Sequence, residues 1–190
     1  MRRHPSPPDR SQQLRRARPL SRAALTLAAD LMLAATLILA AALMLGPGPV
    51  PAAQALESLD AFPRSPLEIR TQSGSQRYDV WIADTPARSQ QGLMFVKALH
   101  AGQGMLFPLQ RPGVMRMWMK DTLIPLDMLF IDAHGQIIYI RHDATPQSEA
   151  IITTPAPVVT PVKAVLELAG GECARRHIEQ GDWVINGFFY

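Results

Sequence analysis

The apolar segments of this chain are short, and each is closed off by glycine or proline, which leaves room for strands and little for helix. Gly104–Phe107 (GMLF), Val114–Met119 (VMRMWM) and Leu126–Asp132 (LDMLFID) all follow this rule. Before them, Leu67–Gln72 alternates apolar and polar residues, Ser73-Gly74-Ser75 turns the chain, and Arg77–Asp84 alternates again with Tyr78, Val80 and Ile82 on one face. That pattern predicts a hairpin. Thr85 followed by Pro86 reads as an N-cap with proline at the first helical position, and Gly92 sits at the stop, so a short helix is expected over Pro86–Gln91. Ala133-His134-Gly135 turns the chain from Leu126–Asp132 into Gln136–Arg141, a second hairpin. The stretch from Thr145 to Pro161 holds four prolines and is expected as a surface loop or an edge strand. Val162–Leu168 and Asp182–Ile185 supply the last strands, with a turn or two of helix between them at Glu172–Ile178. About seven short strands with one or two short helices predict a mostly β domain, a small antiparallel barrel or sandwich.

Composition matters chiefly for what precedes that domain. Residues 1–22 carry seven arginines against one acid, and Leu31–Leu45 is apolar without a charge. This is the order of a secretory signal, and Ala53-Gln54-Ala55 offers small residues for cleavage after Ala55. The competing expectation is an uncleaved anchor, which the carboxylate of Asp30 disfavours. Both place the domain outside the cytoplasm, periplasmic or extracellular, free or held at the inner membrane by the leader alone. The expected organisation is a signal peptide over 1–55, a linker over 56–66 with Pro63 and Pro66, and one globular domain over 67–190. From Leu56 onward there are 12 Lys and Arg against 14 Asp and Glu. The basic character therefore belongs to the leader, and nucleic-acid binding loses its electrostatic support. Cys173 is the only cysteine, so no internal disulfide can form.

GLMF (Gly92–Phe95), GMLF (Gly104–Phe107), WMKDTLIPLDMLFID (Trp118–Asp132) and VLELAGG with IEQGDWV (Val165–Val184) occur in order, and together they resemble the family called domain of unknown function 192 (DUF192). The resemblance covers most of 67–185. It implies a compact, mostly β domain, often exported, with no established activity. The family usually has asparagine where this chain has Asp121, and an arginine shortly after the GLM motif where Val96 stands.

No complete catalytic or metal-ligand constellation and no cofactor motif can be read from the residues. The five histidines show no ligand spacing, although His142-Asp143 merits a test, and Cys173 reads as a small buried hydrophobe. Asp127 is the odd residue, because it interrupts a run apolar on both faces, and a buried carboxylate is costly unless paired or hydrogen-bonded. Lys120 is the nearest cation in sequence. One expectation is that Asp127 simply organises the Lys120–Pro125 turn. Another is a binding face of Trp118, Lys120, Asp121, Thr122 and Asp127, in which Lys120 holds an anion, Trp118 stacks and Asp127 orients a ligand or accepts a proton. Such a face would serve an envelope module binding a small molecule or a partner protein. With Lys120 and Asp127 as electrostatic and acid/base groups, it would instead serve an envelope enzyme. Arg88, on the short helix, is a further candidate anion contact or a solvated side chain. A third reading places Met115, Met117 and Met119 on one face of a strand, as Cu(I) ligands or as core filling. Glu167 and Asp182 read as turn or edge residues.

Overall fold

The computed structural model describes residues 56–157 and 160–189; the leader over 1–55 and its expected cleavage site lie outside them. Seven strands follow in order, β1 (Arg64–Thr71), β2 (Gly74–Ile82), β3 (Gln103–Gly113), β4 (Leu126–Ile131), β5 (Ile137–Ala144), β6 (Val162–Ala169) and β7 (Trp183–Ile185). Helix α1 (Pro86–Gln91) lies between β2 and β3, and α2 (Glu172–Arg176) between β6 and β7. The N-cap of α1 forms as its sequence predicts, with the Thr85 side chain accepting from the Arg88 N–H at 3.2 Å.

The strands make one sheet in the order β5-β4-β6-β3-β2-β1-β7. Every neighbouring pair is antiparallel except β2–β3, which is parallel. The connection between those two strands is long enough for a crossover and carries α1 and the GLMF loop. The ends of the sheet approach each other through a bridge between Gln136 and Trp183, with the Val184 N–H donating to the Gly135 carbonyl at 2.7 Å. No continuous ladder joins them, so the sheet curves like a sandwich and does not close into a barrel.

Strand alternation sorts the core into two apolar layers. On one face Leu129, Ile131, Leu166 and Leu168 pack with Cys173; on the other Met105, Phe107, Met128, Phe130 and Val165 pack with Met117 and Met119. β4 is buried along its whole length because both of its faces are covered.

Two local expectations differ from the structure. Residues 56–66 are not an irregular linker: they hold a 3-10 turn at Leu59–Ala61 and the start of β1, and Phe62 is buried in the second layer. Pro63 precedes the strand, and Pro66 lies in the part of β1 that pairs with β2 alone, before the stretch paired with β7 begins at Glu68. Val114–Met119 is not a strand either, since only Met117 pairs, in an isolated bridge with Ile152. The alternation read from its sequence survives: Met115 is half-buried, Met117 and Met119 are buried, and Arg116, Trp118 and Lys120 face outward.

Candidate functional site

The four sequence motifs converge on one small cavity of about 40 Å3. Its wall combines Leu93 from the GLMF loop, Phe107 from β3 and Trp118, Lys120 and Thr122 from the WMKDT segment, with Glu167 from β6. Two residues with left-handed backbone lock the loops together. Phe95 has φ 62° and Asp121 has φ 54°, and the Phe95 N–H donates to the Asp121 carbonyl at 2.9 Å. Asp and Asn tolerate this conformation better than most residues, whereas a phenylalanine held there is strained.

Glu167 sits opposite Met105 of β3 and Met128 of β4, in the middle of the sheet. It is 4% exposed. This corrects its reading as a turn or edge residue. Alternation in β6 points it to the same face as Val165, toward the cavity. Among the described residues no side chain forms an ion pair or hydrogen bond with its carboxyl group, yet no side-chain oxygen is fully buried without a partner. The carboxyl group therefore keeps contact with the cavity. Burial alone pushes its pKa up to about 8, from an ordinary 4.5, so it is protonated near neutral pH and can donate a hydrogen bond. β3 passes so close that a Cβ at Gly104 would lie 2.6 Å from the Glu167 carbonyl oxygen, so only glycine fits there.

Lys120 and Arg116 line the mouth of this cavity, exposed and without an ion pair among the described residues. Trp118 is 40% exposed and Thr122 is buried beside them. The predicted group of Trp118, Lys120 and Thr122 is thus brought together, and Asp121 contributes through its backbone turn.

Asp127 does not join them. In β4 it alternates with Leu126 and Met128 and so faces the opposite layer, level with Leu168 and against Cys173. Its carboxylate accepts three backbone N–H groups: from Asp143 at 2.9 Å and Gly171 at 3.2 Å on Oδ1, and from Cys173 at 2.8 Å on Oδ2. The expected pairing with Lys120 fails because the two side chains point to different faces of the sheet. The acid/base pairing of Lys120 and Asp127 falls with it. Asp127 also does not organise the Lys120–Pro125 turn; it ties β4 to β5 and to the start of α2. Arg88 stands apart as well. Its guanidinium pairs with Glu57 at 2.8 Å and Asp84 at 2.9 Å, donates to the Ala61 carbonyl and stacks over Phe62, so it fastens the N-terminal segment to α1.

Met117 and Met119 belong to the apolar layer, with Met115 packed against it. Core filling explains all three. Replacing them together with leucine, a swap of similar volume, is expected to leave the heat of a Cu(I) titration unchanged. A heat lost in that variant would restore thioether coordination.

The chain is similar to a protein family and to solved structures of the same fold. The model of the DUF192 family, described as an uncharacterized ACR, matches residues 68–185. A solved structure from Sinorhizobium meliloti 1021, provisionally described as a transcription regulator, is 36% identical with a TM-score of 0.62, covering 67% of this chain and 96% of its own. A protein of unknown function from Novosphingobium aromaticivorans DSM 12444 is 31% identical with a TM-score of 0.63, covering 74% of this chain and 99% of its own. No curated protein matches the chain.

Proposed function

The chain belongs to the DUF192 family, whose description carries no activity, and from the site itself we propose that the domain is a small-ligand-binding module that receives an anionic end group over Glu167. The observation that carries this reading is a buried carboxyl group lining a cavity together with two exposed cations that have no ion pair among the described residues. A volume of about 40 Å3 admits a terminal group, not a whole drug-sized molecule. A carboxylate end fits the chemistry: Glu167 donates to one oxygen, Lys120 and Arg116 neutralise the charge, and Trp118 covers the apolar part of the ligand. The basic, apolar leader supports placing this module in the cell envelope. A regulator role of the kind suggested for the Sinorhizobium relative would call for a basic face, and the acidic balance from Leu56 onward favours the small ligand instead.

Acetate serves as the minimal probe, followed by amide chemical shifts. Its four heavy atoms limit the affinity to roughly 6 kcal/mol, so weak binding that shifts Gly92–Met94 and Trp118–Thr122 is expected. Lys120→Met should weaken it at least about tenfold while leaving the melting temperature within a degree or so, because an exposed, unpaired lysine contributes little to stability. Binding of acetate by Lys120→Met as tightly as by the parent chain would sink the proposal, as would a melting temperature several degrees lower.

A further inference from the structure

We propose that Asp127, His142 and Cys173 form a zinc site on the face of the sheet opposite the Glu167 cavity. This inference does not rest on the ligand-binding reading. One ligand atom from each residue lies within 4.8 Å of the others, although α2 is distant in sequence from the β4–β5 hairpin. Asp127 and Cys173 are buried, and His142 is exposed. A second observation lies beside them: His142 and Cys173 line an open cleft of about 370 Å3, which gives an ion a path in and leaves one coordination position for solvent or a ligand.

The donor set selects the metal. Thiolate, imidazole and carboxylate together suit Zn2+, whereas Mg2+ and Ca2+ take oxygen ligands only. With bonds of about 2.0–2.3 Å in a tetrahedron, zinc ligands stand about 3.3–3.8 Å apart, so the cluster needs only a modest contraction. The exposed imidazole can supply that movement by rotating. Asp127 is already oriented. A carboxylate has about four acceptor positions, and backbone N–H groups fill three of them, two on Oδ1 and one on Oδ2. The Cys173 thiol, hydrogen-bonded to the same carboxylate, takes up the remaining capacity, so an ion would enter by replacing the thiol proton between sulfur and oxygen. Those three N–H groups would then hold a fixed ligand in the way outer-shell hydrogen bonds usually do. On binding, the Cys173 thiol proton passes to solvent and the sulfur coordinates as thiolate, so one proton is released for each ion bound through it. The site would have three protein ligands and an open fourth position, the form that catalytic zinc sites take. His177 lines the same cleft and offers a further imidazole there.

Cobalt(II) is the probe, titrated into the full chain after treatment with a chelator. One ion per chain should bind with a near-ultraviolet thiolate-to-cobalt absorption, and Zn2+ should displace it and abolish the band. Cys173→Ser should remove the band. His142→Ala, an exposed change that leaves the core intact, should weaken cobalt binding by at least about tenfold. His134→Ala, at a turn outside the cluster, should bind cobalt as the parent does. Absence of the band in the parent chain overturns the proposal, and so does undiminished affinity in His142→Ala. That second readout holds even if the buried Cys173→Ser change prevents folding.

Discussion

Glu167→Gln is expected to make the protein more stable, by about 3 kcal/mol at pH 7 and by about 5 kcal/mol above pH 8. The folded chain holds the Glu167 proton up to about pH 8, whereas the unfolded chain releases it near the ordinary value of 4.5. Between these values the unfolded state binds fewer protons than the fold. Stability is therefore fully present below about pH 4.5, falls as pH rises, and levels off once the folded-state group has titrated near 8. Glutamine has nearly the same shape and cannot ionise, so it removes that loss. For a domain of this size the gain corresponds to a melting temperature roughly 10 °C higher at pH 7. Thermal unfolding of both proteins from pH 4 to 9 checks it, and two parallel curves would show that Glu167 is hydrated or paired in solution. A residue that costs the fold this much is best explained by what it does for a ligand. Because the glutamine amide can still donate a hydrogen bond, Glu167→Gln should keep acetate binding but lose the decline that the parent shows as pH rises through about 8.

Asp127 carries the opposite prediction. Asp127→Ala strips the partner from three backbone N–H groups, each costing about 1–3 kcal/mol when left unpaired in the interior. The sum is comparable to the entire stability of a small domain, so this variant should not fold. Asp127→Asn is the informative substitution. Its amide oxygen can replace Oδ1 toward Asp143 and Gly171, but its NH2 group then faces the Cys173 N–H, and the charge assistance is gone. A loss of about 2–4 kcal/mol in urea unfolding is expected. A loss below about 0.5 kcal/mol would mean that the carboxylate does not hold β4, β5 and α2 together.

These two acids show what could be read from the sequence and what could not. The mostly β fold was legible because short apolar segments alternate with turns, and Thr85-Pro86 with Gly92 fixed the short helix to the residue, whereas β1 runs through Pro66 and β3 through Pro108 and Pro112. The binding face was half legible. Trp118, Lys120 and Thr122 stand out as polar and aromatic residues between apolar segments, and they do meet at one cavity. Proximity along the chain points to Asp127 as their partner, and proximity is a poor guide here. In a two-faced sheet, alternation decides which side chains meet, and it sends Asp127 to the other layer. Glu167 carries the same signal as Asp127, an acid inside the apolar run VKAVLELA, but its place just before Gly170-Gly171 reads as a turn or an edge. What could not be seen is that β6 lies between β3 and β4, since strand order depends on long-range pairing. The parallel β2–β3 contact and the bridge from Met117 to Ile152 were hidden for the same reason. The meeting of His142 with Cys173 likewise depends on that pairing, because spacing along the chain gives no sign of it.

The most direct measurement is a carboxyl 13C NMR titration of Glu167 with and without acetate. The free protein should show a midpoint of about 8, and acetate should move it higher, since an anion binds best while the carboxyl group holds its proton. A midpoint near 4.5 would mean that the group is not sequestered, and a midpoint indifferent to acetate would mean that the cavity is not where the anion binds.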